Sequence, residues 1–78
     1  MQLRVISPTK TIFEGEVQRV LLPGAKAPFV VLRGHAPLIS SLTAGRVAYT
    51  LPCGDEGCVD VAGGFVEVHN DTIVVCTE

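Results

Sequence analysis

An all-β fold, a single flattened sandwich or barrel of short strands, is predicted by three features of the 78-residue chain. Glycine and proline recur at positions 8, 15, 23, 24, 28, 34, 37, 45, 52, 54, 57, 63 and 64, and most intervals between them are too short for an ordinary helix. The longest break-free stretch, FVEVHNDTIVVCTE from Phe65, is rich in β-branched residues, and Asn70-Asp71 in its middle suits a tight hairpin turn. Apolar residues at Val47, Tyr49 and Leu51 and again at Val59 and Val61 alternate with Thr50 and Asp60, the period-2 signature of a sheet with one buried face.

The breakers and the alternation together place nine strands. Gln2–Ser7 ends at Pro8, Thr11–Phe13 stops before Glu14-Gly15, and Glu16–Leu22 runs into Pro23-Gly24. Phe29–Leu32 follows Pro28 and stops short of Gly34, and Leu38–Ser41 follows Pro37. Arg46–Leu51 is bounded by Gly45 and Pro52, and Cys58–Val61 lies between Gly57 and Gly63-Gly64. Phe65–His69 and Thr72–Cys76 flank the Asn70-Asp71 turn. Paired glycines inside a β-pattern mark a bulge or a sharp bend, so Gly63-Gly64 is expected to be such a site.

One domain, residues 1–78, is expected, because the chain is too short for two independent cores. A domain of this size buries only about 60–65% of the surface of its unfolded chain, so a partner would help to stabilise it. A hydrophobic fraction of 47% argues for a packed globule, and no apolar run approaches the length of a membrane span. The net charge is −2 and the six cations Arg4, Lys10, Arg19, Lys26, Arg33 and Arg46 are scattered, so no nucleic-acid footprint is expected. The MQLRVISP start lacks the apolar core and cleavage site of a signal peptide.

No catalytic constellation emerges. Ser40, Ser41 and the three cysteines have no elbow motif linking them to His35 or His69. Glu14 and Glu16 share one strand face as like charges, as expected of a solvated edge. LPGAKAP has no helix after it to hold an anion, and AGGFVEV leads into a strand. Cys53 and Cys58 flank GDEG and are positioned to face each other across a hairpin, yet structural zinc needs two further ligands and no second paired motif supplies them. No cofactor and no metal are expected. His35, between Gly34 and Pro37, has two readings: a ring that bonds local backbone and fixes the turn, or part of a contact patch with Ala36, Pro37 and Leu38.

Three segments in order, TIFEGEVQRVLLPG (11–24), LRGHAPLISSLTAGRV (32–47) and VDVAGGFVEVHNDTIVVCTE (59–78), resemble the N-terminal domain of the epsilon subunit of F-type ATP synthase. The family shows an early FxGxVxxVxLPG-like segment, a central PGHAPLIxxLxPGxV and a late VxGGFxEVxxNxVTVLA. The resemblance covers nearly the whole chain. It implies a β-sandwich of about ten strands and a non-enzymatic central-stalk subunit, without cofactor. Such a subunit binds the gamma subunit and rests on the c-ring, so that proton-driven rotation reaches the catalytic alpha/beta head. It also implies a peripheral membrane location on the cytoplasmic face, held through the complex alone.

By position the family's c-ring-facing loops fall on Ala25, Lys26, Ala27 and Pro28 and on Arg33, Gly34, His35, Ala36 and Pro37. Gamma contacts are expected on the same lower rim and one sheet face, including Leu38, Ser40, Thr43 and Gly45. The chain departs from the family in Lys26 and Pro28 of the first loop, in Val30 where glycine is usual, and in Arg33 where proline is usual. It stops at Glu78, where most relatives continue into a helical hairpin that restrains hydrolysis, so coupling without that restraint is expected. The alternative is a free-standing β-sandwich that takes a peptide or small ligand at an edge strand.

Overall fold

Residues 1–78 are described by a computed structural model. The alternation read above becomes nine strands: β1 (Gln2–Ile6), β2 (Thr11–Glu16), β3 (Arg19–Leu22), β4 (Phe29–Leu32), β5 (Leu38–Leu42), β6 (Gly45–Thr50), β7 (Glu56–Val61), β8 (Gly64–His69) and β9 (Thr72–Thr77). They form a five-stranded sheet ordered β2-β1-β9-β8-β5 and a four-stranded sheet ordered β4-β3-β6-β7. Extents of 28 × 24 × 18 Å make the sandwich flattened, as expected. An isolated bridge, Gly24 to Leu42, joins the two sheets at one end of β5.

The core follows from which face of each strand turns inward. Leu3 and Val5 of β1, Ile73 and Val75 of β9, and Val66 and Val68 of β8 meet Val20 and Leu22 of β3, Val31 of β4 and Val47 of β6, all essentially inaccessible. Burying each such side chain contributes about 1.5–3 kcal/mol, offset by the conformational entropy of a small domain. Most are β-branched, which stiffens χ1 and lets neighbours on the pleated surface interlock. β1 and β9 pair in parallel at the middle of the larger sheet, from Gln2–Thr72 to Ile6–Cys76. The two ends of the chain therefore share one ladder, and the core closes only when both are in place.

The largest departure from the expected strand boundaries is at the β2–β3 corner. The chain does not break at Glu14-Gly15; β2 runs through to Glu16, and the turn comes at Val17-Gln18. Two contacts explain the shift. Gly15 faces Leu3 across the ladder and leaves room for the Phe13 ring, which would lie 3.3 Å from a Cβ at that position. Glu14 and Glu16 each find a cation, Arg4 Nε at 3.5 Å and the terminal ammonium of Met1 at 2.8 Å, so the like charges are not left facing each other unpaired. The corner at 17–18 then changes sheet: Val17 N–H donates to Met1 O of one layer and Gln18 N–H to Thr50 O of the other.

Two backbone features bear out the turn chemistry. Asn70 and Asp71 have φ of 51° and 57°, positive at both central positions of a two-residue hairpin, which is the type I′ pattern. Gly63 and Gly64 have φ of 140° and 124°, and a Cβ at Gly64 would overlap the Cys76 carbonyl, so the pair allows the close approach of β8 to β9. Elsewhere Phe13 of the larger sheet and Tyr49 of the smaller one stack with centroids 4.2 Å apart, tilted by 33°, and link the layers. Gly57, opposite Tyr49 on β7, supplies the space this ring occupies.

Candidate functional site

The residues expected to make contacts are distributed along β5, an edge of the larger sheet. The strip begins at the β4–β5 loop, Arg33 to Pro37. Gly34 sits there with φ of 80°, and its N–H donates to Asp71 Oδ1 at 2.8 Å, which ties this loop to the β8–β9 hairpin. The His35 N–H donates to Leu32 O at 3.1 Å, and the half-buried ring donates from Nδ1 to Ala36 O at 2.7 Å. The local-backbone reading of His35 is thus the one its ring geometry satisfies. Arg33, Gly34, Ala36 and Pro37 are exposed.

At the other end of the strip lies the β3–β4 loop. Ala25 N–H donates to Ser41 O at 2.9 Å and Thr43 N–H to Pro23 O at 2.9 Å, so the loop is pinned to the end of β5 around the Gly24–Leu42 bridge. Ala25, Lys26, Ala27 and Pro28 are exposed, as are Thr43 and Gly45. Pro23 packs so near Gly45 that a Cβ there would lie 3.0 Å from it. A cleft of about 540 Å³ runs between this loop and Ile39–Ser41.

The expectation of one common rim is corrected by this arrangement. The loops Ala25–Pro28 and Arg33–Pro37 lie at opposite ends of β4, a straight four-residue strand spanning about 13 Å. No fold of an extended strand brings its two ends together. What unites the residues is β5, which returns from the second loop to the first and carries Leu38 and Ser40 between them. Leu38 and Ser40 face inward and are half-buried, so the outward residues of β5 are Ile39 and Ser41.

Sequence reasoning missed two of the residues that shape this strip. Ile39 is 73% exposed, the most exposed large apolar side chain of the fold. A signal existed: in Leu38-Ile39-Ser40-Ser41-Leu42 the inward register belongs to 38, 40 and 42, which leaves an isoleucine on the outer face. Asp71 anchors the Gly34 loop from 37 residues away, a pairing no local pattern announces.

The cysteines are not arranged for joint chemistry. Cys58 lies opposite Ala48 in the β6–β7 ladder rather than opposite Cys53, which sits in the hairpin loop; Cys53, Cys58 and Cys76 are free thiols. They miss each other because the ladder closes at Thr50–Glu56, which puts Cys53 at the midpoint of the 51–55 loop and Cys58 five residues out of register with it, opposite Ala48. On the outer face of the smaller sheet Arg46 Nε donates to Asp60 Oδ1 at 3.1 Å, and this hydrogen bond, with the nearby Cys58 and Asp60 charges, raises the guanidinium pKa above its ordinary value.

Known proteins show the same pattern. Residues 1–78 match the family model described as the ATP synthase delta/epsilon chain beta-sandwich domain. The chain is 40% identical over 76 residues to the ATP synthase epsilon chain of Chlorobaculum tepidum, covering 97% of this chain and 86% of that one. It is 36% identical over 77 residues to the epsilon chain of Chlorobium limicola, covering 99% and 88% respectively. Against the longer epsilon chain of Dichelobacter nodosus, 36% identical, it spans 54% of the relative's length. Among solved structures, a chain in the cryo-EM structure of the Euglena gracilis mitochondrial ATP synthase (OSCP/F1/c-ring in rotational state 1) superposes with a TM-score of 0.88 at 21% identity, over 96% of this chain and 48% of that one. A chain in the Tetrahymena thermophila mitochondrial ATP synthase central stalk/c-ring structure gives 0.77 at 19% identity, over 97% and 61%. At these identities the likeness is one of fold.

Proposed function

The chain belongs to the family of ATP synthase delta/epsilon chain β-sandwich domains, and from that premise we propose that it is a non-catalytic central-stalk subunit of an F-type ATP synthase. It binds the gamma subunit and rests on the membrane-embedded c-ring, on the cytoplasmic face, and is held at the membrane only through the complex. In that position it transmits ring rotation to gamma and so to the catalytic alpha/beta head. The observation that carries the reading is the match of all 78 residues to this family, with epsilon chains covered over 86–88% of their length.

The fold suits the task for a physical reason. A coupling element must resist shear, and a dry core of interlocked β-branched side chains between two sheets deforms little. The strip along β5, with loops Ala25–Pro28 and Arg33–Pro37 at its ends and Thr43 and Gly45 beside it, is the surface we assign to the gamma and c-ring contacts. Both loops are braced, one by Asp71 and one by Ser41 and Pro23, so they present contacts without a large ordering cost.

Co-purification tests the reading. A tagged copy of the chain, expressed in its native host and extracted in mild detergent, is expected to bring down the gamma subunit and the catalytic head in fixed proportion. A chain that is recovered alone, and that binds a peptide or small ligand instead, would refute it.

A further inference from the structure

The cleft beside the β3–β4 loop holds three features that bear on how the surface assigned above makes its contact. The first is an unpaired stretch of strand edge. In the antiparallel β5–β8 ladder, successive residues alternate between pointing their backbone groups at the partner strand and away from it. Ser41 O accepts from Ala25 on the far side, so Ser41 and Ile39 are the residues whose backbone groups point away from β8. None of the eleven backbone hydrogen bonds outside the strand ladders involves Ile39 or the Ser41 N–H. The second feature is Ile39 itself, 73% exposed on the wall of the cleft. The third is Lys26, exposed, the only titratable residue lining the cleft, and engaged in none of the three ion pairs of the fold.

We propose that this cleft takes an extended, carboxylate-bearing segment of a partner chain as a sixth strand of the larger sheet, added at the Ile39–Ser41 edge with its acidic end over Lys26. The inference rests on the function proposed above and names the chemistry of its contact. Strand addition uses the free N–H and C=O of Ile39 and the free N–H of Ser41 for affinity, and side-chain pockets for selectivity. An apolar residue of the segment covers Ile39, and Pro28 and Phe29 form the opposite wall. Charge sets where the acidic group sits: Glu67, directly opposite Ile39 across the β5–β8 ladder, repels a carboxylate from the middle of the edge, whereas Lys26 attracts one at the Ser41 end.

Amide hydrogen exchange on the isolated chain and on the purified ATP synthase complex tests the proposal. In the isolated chain the Ile39 and Ser41 amides exchange fast, while those of Leu38, Ser40 and Leu42, which face β8, are protected. In the complex Ile39 and Ser41 are expected to slow by at least about tenfold. Lys26→Glu is expected to weaken incorporation into the complex and Lys26→Arg to preserve it, and Lys26→Ala to flatten the salt dependence of binding. Incorporation with Ile39 and Ser41 amides still exchanging freely overturns the strand addition and leaves the central-stalk role intact. Protection with Lys26→Glu incorporated as well as the unmodified chain overturns the carboxylate. Failure of the unmodified chain to enter the complex overturns both this proposal and the role it rests on.

Discussion

The bond from Gly34 N–H to Asp71 Oδ1 couples two segments far apart in sequence, and a series at position 71 separates its contribution from that of the turn. Asp71 has a φ of 57°, a left-handed conformation that costs an ordinary residue about 1–2 kcal/mol and that Asn, Asp and Gly tolerate. The hydrogen bond is exposed, and its net worth is about 0.5–1.5 kcal/mol. Asp71→Asn keeps an acceptor and the backbone tolerance, so a loss below about 0.5 kcal/mol is expected. Asp71→Gly removes the bond and keeps the backbone freedom, for a loss of about 1 kcal/mol. Asp71→Ala removes the bond and adds the backbone strain, for a loss of about 2–3 kcal/mol, or roughly 8–24 °C in Tm for a domain of this size. Urea unfolding followed by far-UV circular dichroism gives the order directly. A Gly variant less stable than the Ala variant, or an Ala variant within a few tenths of a kcal/mol of the unmodified chain, would refute the reasoning.

Four other outcomes are expected. Gly34→Val forces a β-branched residue to a φ of 80° but meets nothing within 4 Å, so a loss of about 1–3 kcal/mol without a change of fold is expected in urea unfolding, with Gly34→Asn milder. Gly64→Ala combines a φ of 124° with overlap on the Cys76 carbonyl, and the amide spectrum of this variant is expected to show an unfolded chain or a disrupted β8–β9 pair. Ile73→Ala, fully buried, is expected to cost about 2–5 kcal/mol, read as a lower denaturation midpoint. A group with a raised folded pKa contributes its stability fully below the unfolded value and loses it only on titration at higher pH. For Arg46 that window lies at strongly alkaline pH, above the ordinary arginine range, so the Arg46–Asp60 pair is expected to give no pH dependence of stability between about pH 6 and 9, and Arg46→Gln should leave the urea midpoint's pH profile parallel to that of the unmodified chain.

Much of this protein was determined by local pattern. The spacing of glycine and proline excludes long helices, and period-2 alternation assigns the inward faces of β6 and β7, because a strand's side chains have only two directions to choose from. The Asn70-Asp71 turn and the Gly63-Gly64 bend were equally local, since each depends on a backbone conformation that few residue types accept. The order of three segments carried the family, and with it the role. Only the tertiary structure decided the rest. The strand through Gly15 depends on Leu3 across a ladder, and the brace on Gly34 depends on a carboxylate 37 residues away. That the loops Ala25–Pro28 and Arg33–Pro37 stand apart, joined by β5 and not sharing one rim, depends on the direction in which β4 runs between them. The physical reason is common to all three: which strands become neighbours is settled by the burial of the whole core at once, and no window of sequence contains both sides of a ladder that joins residue 2 to residue 72.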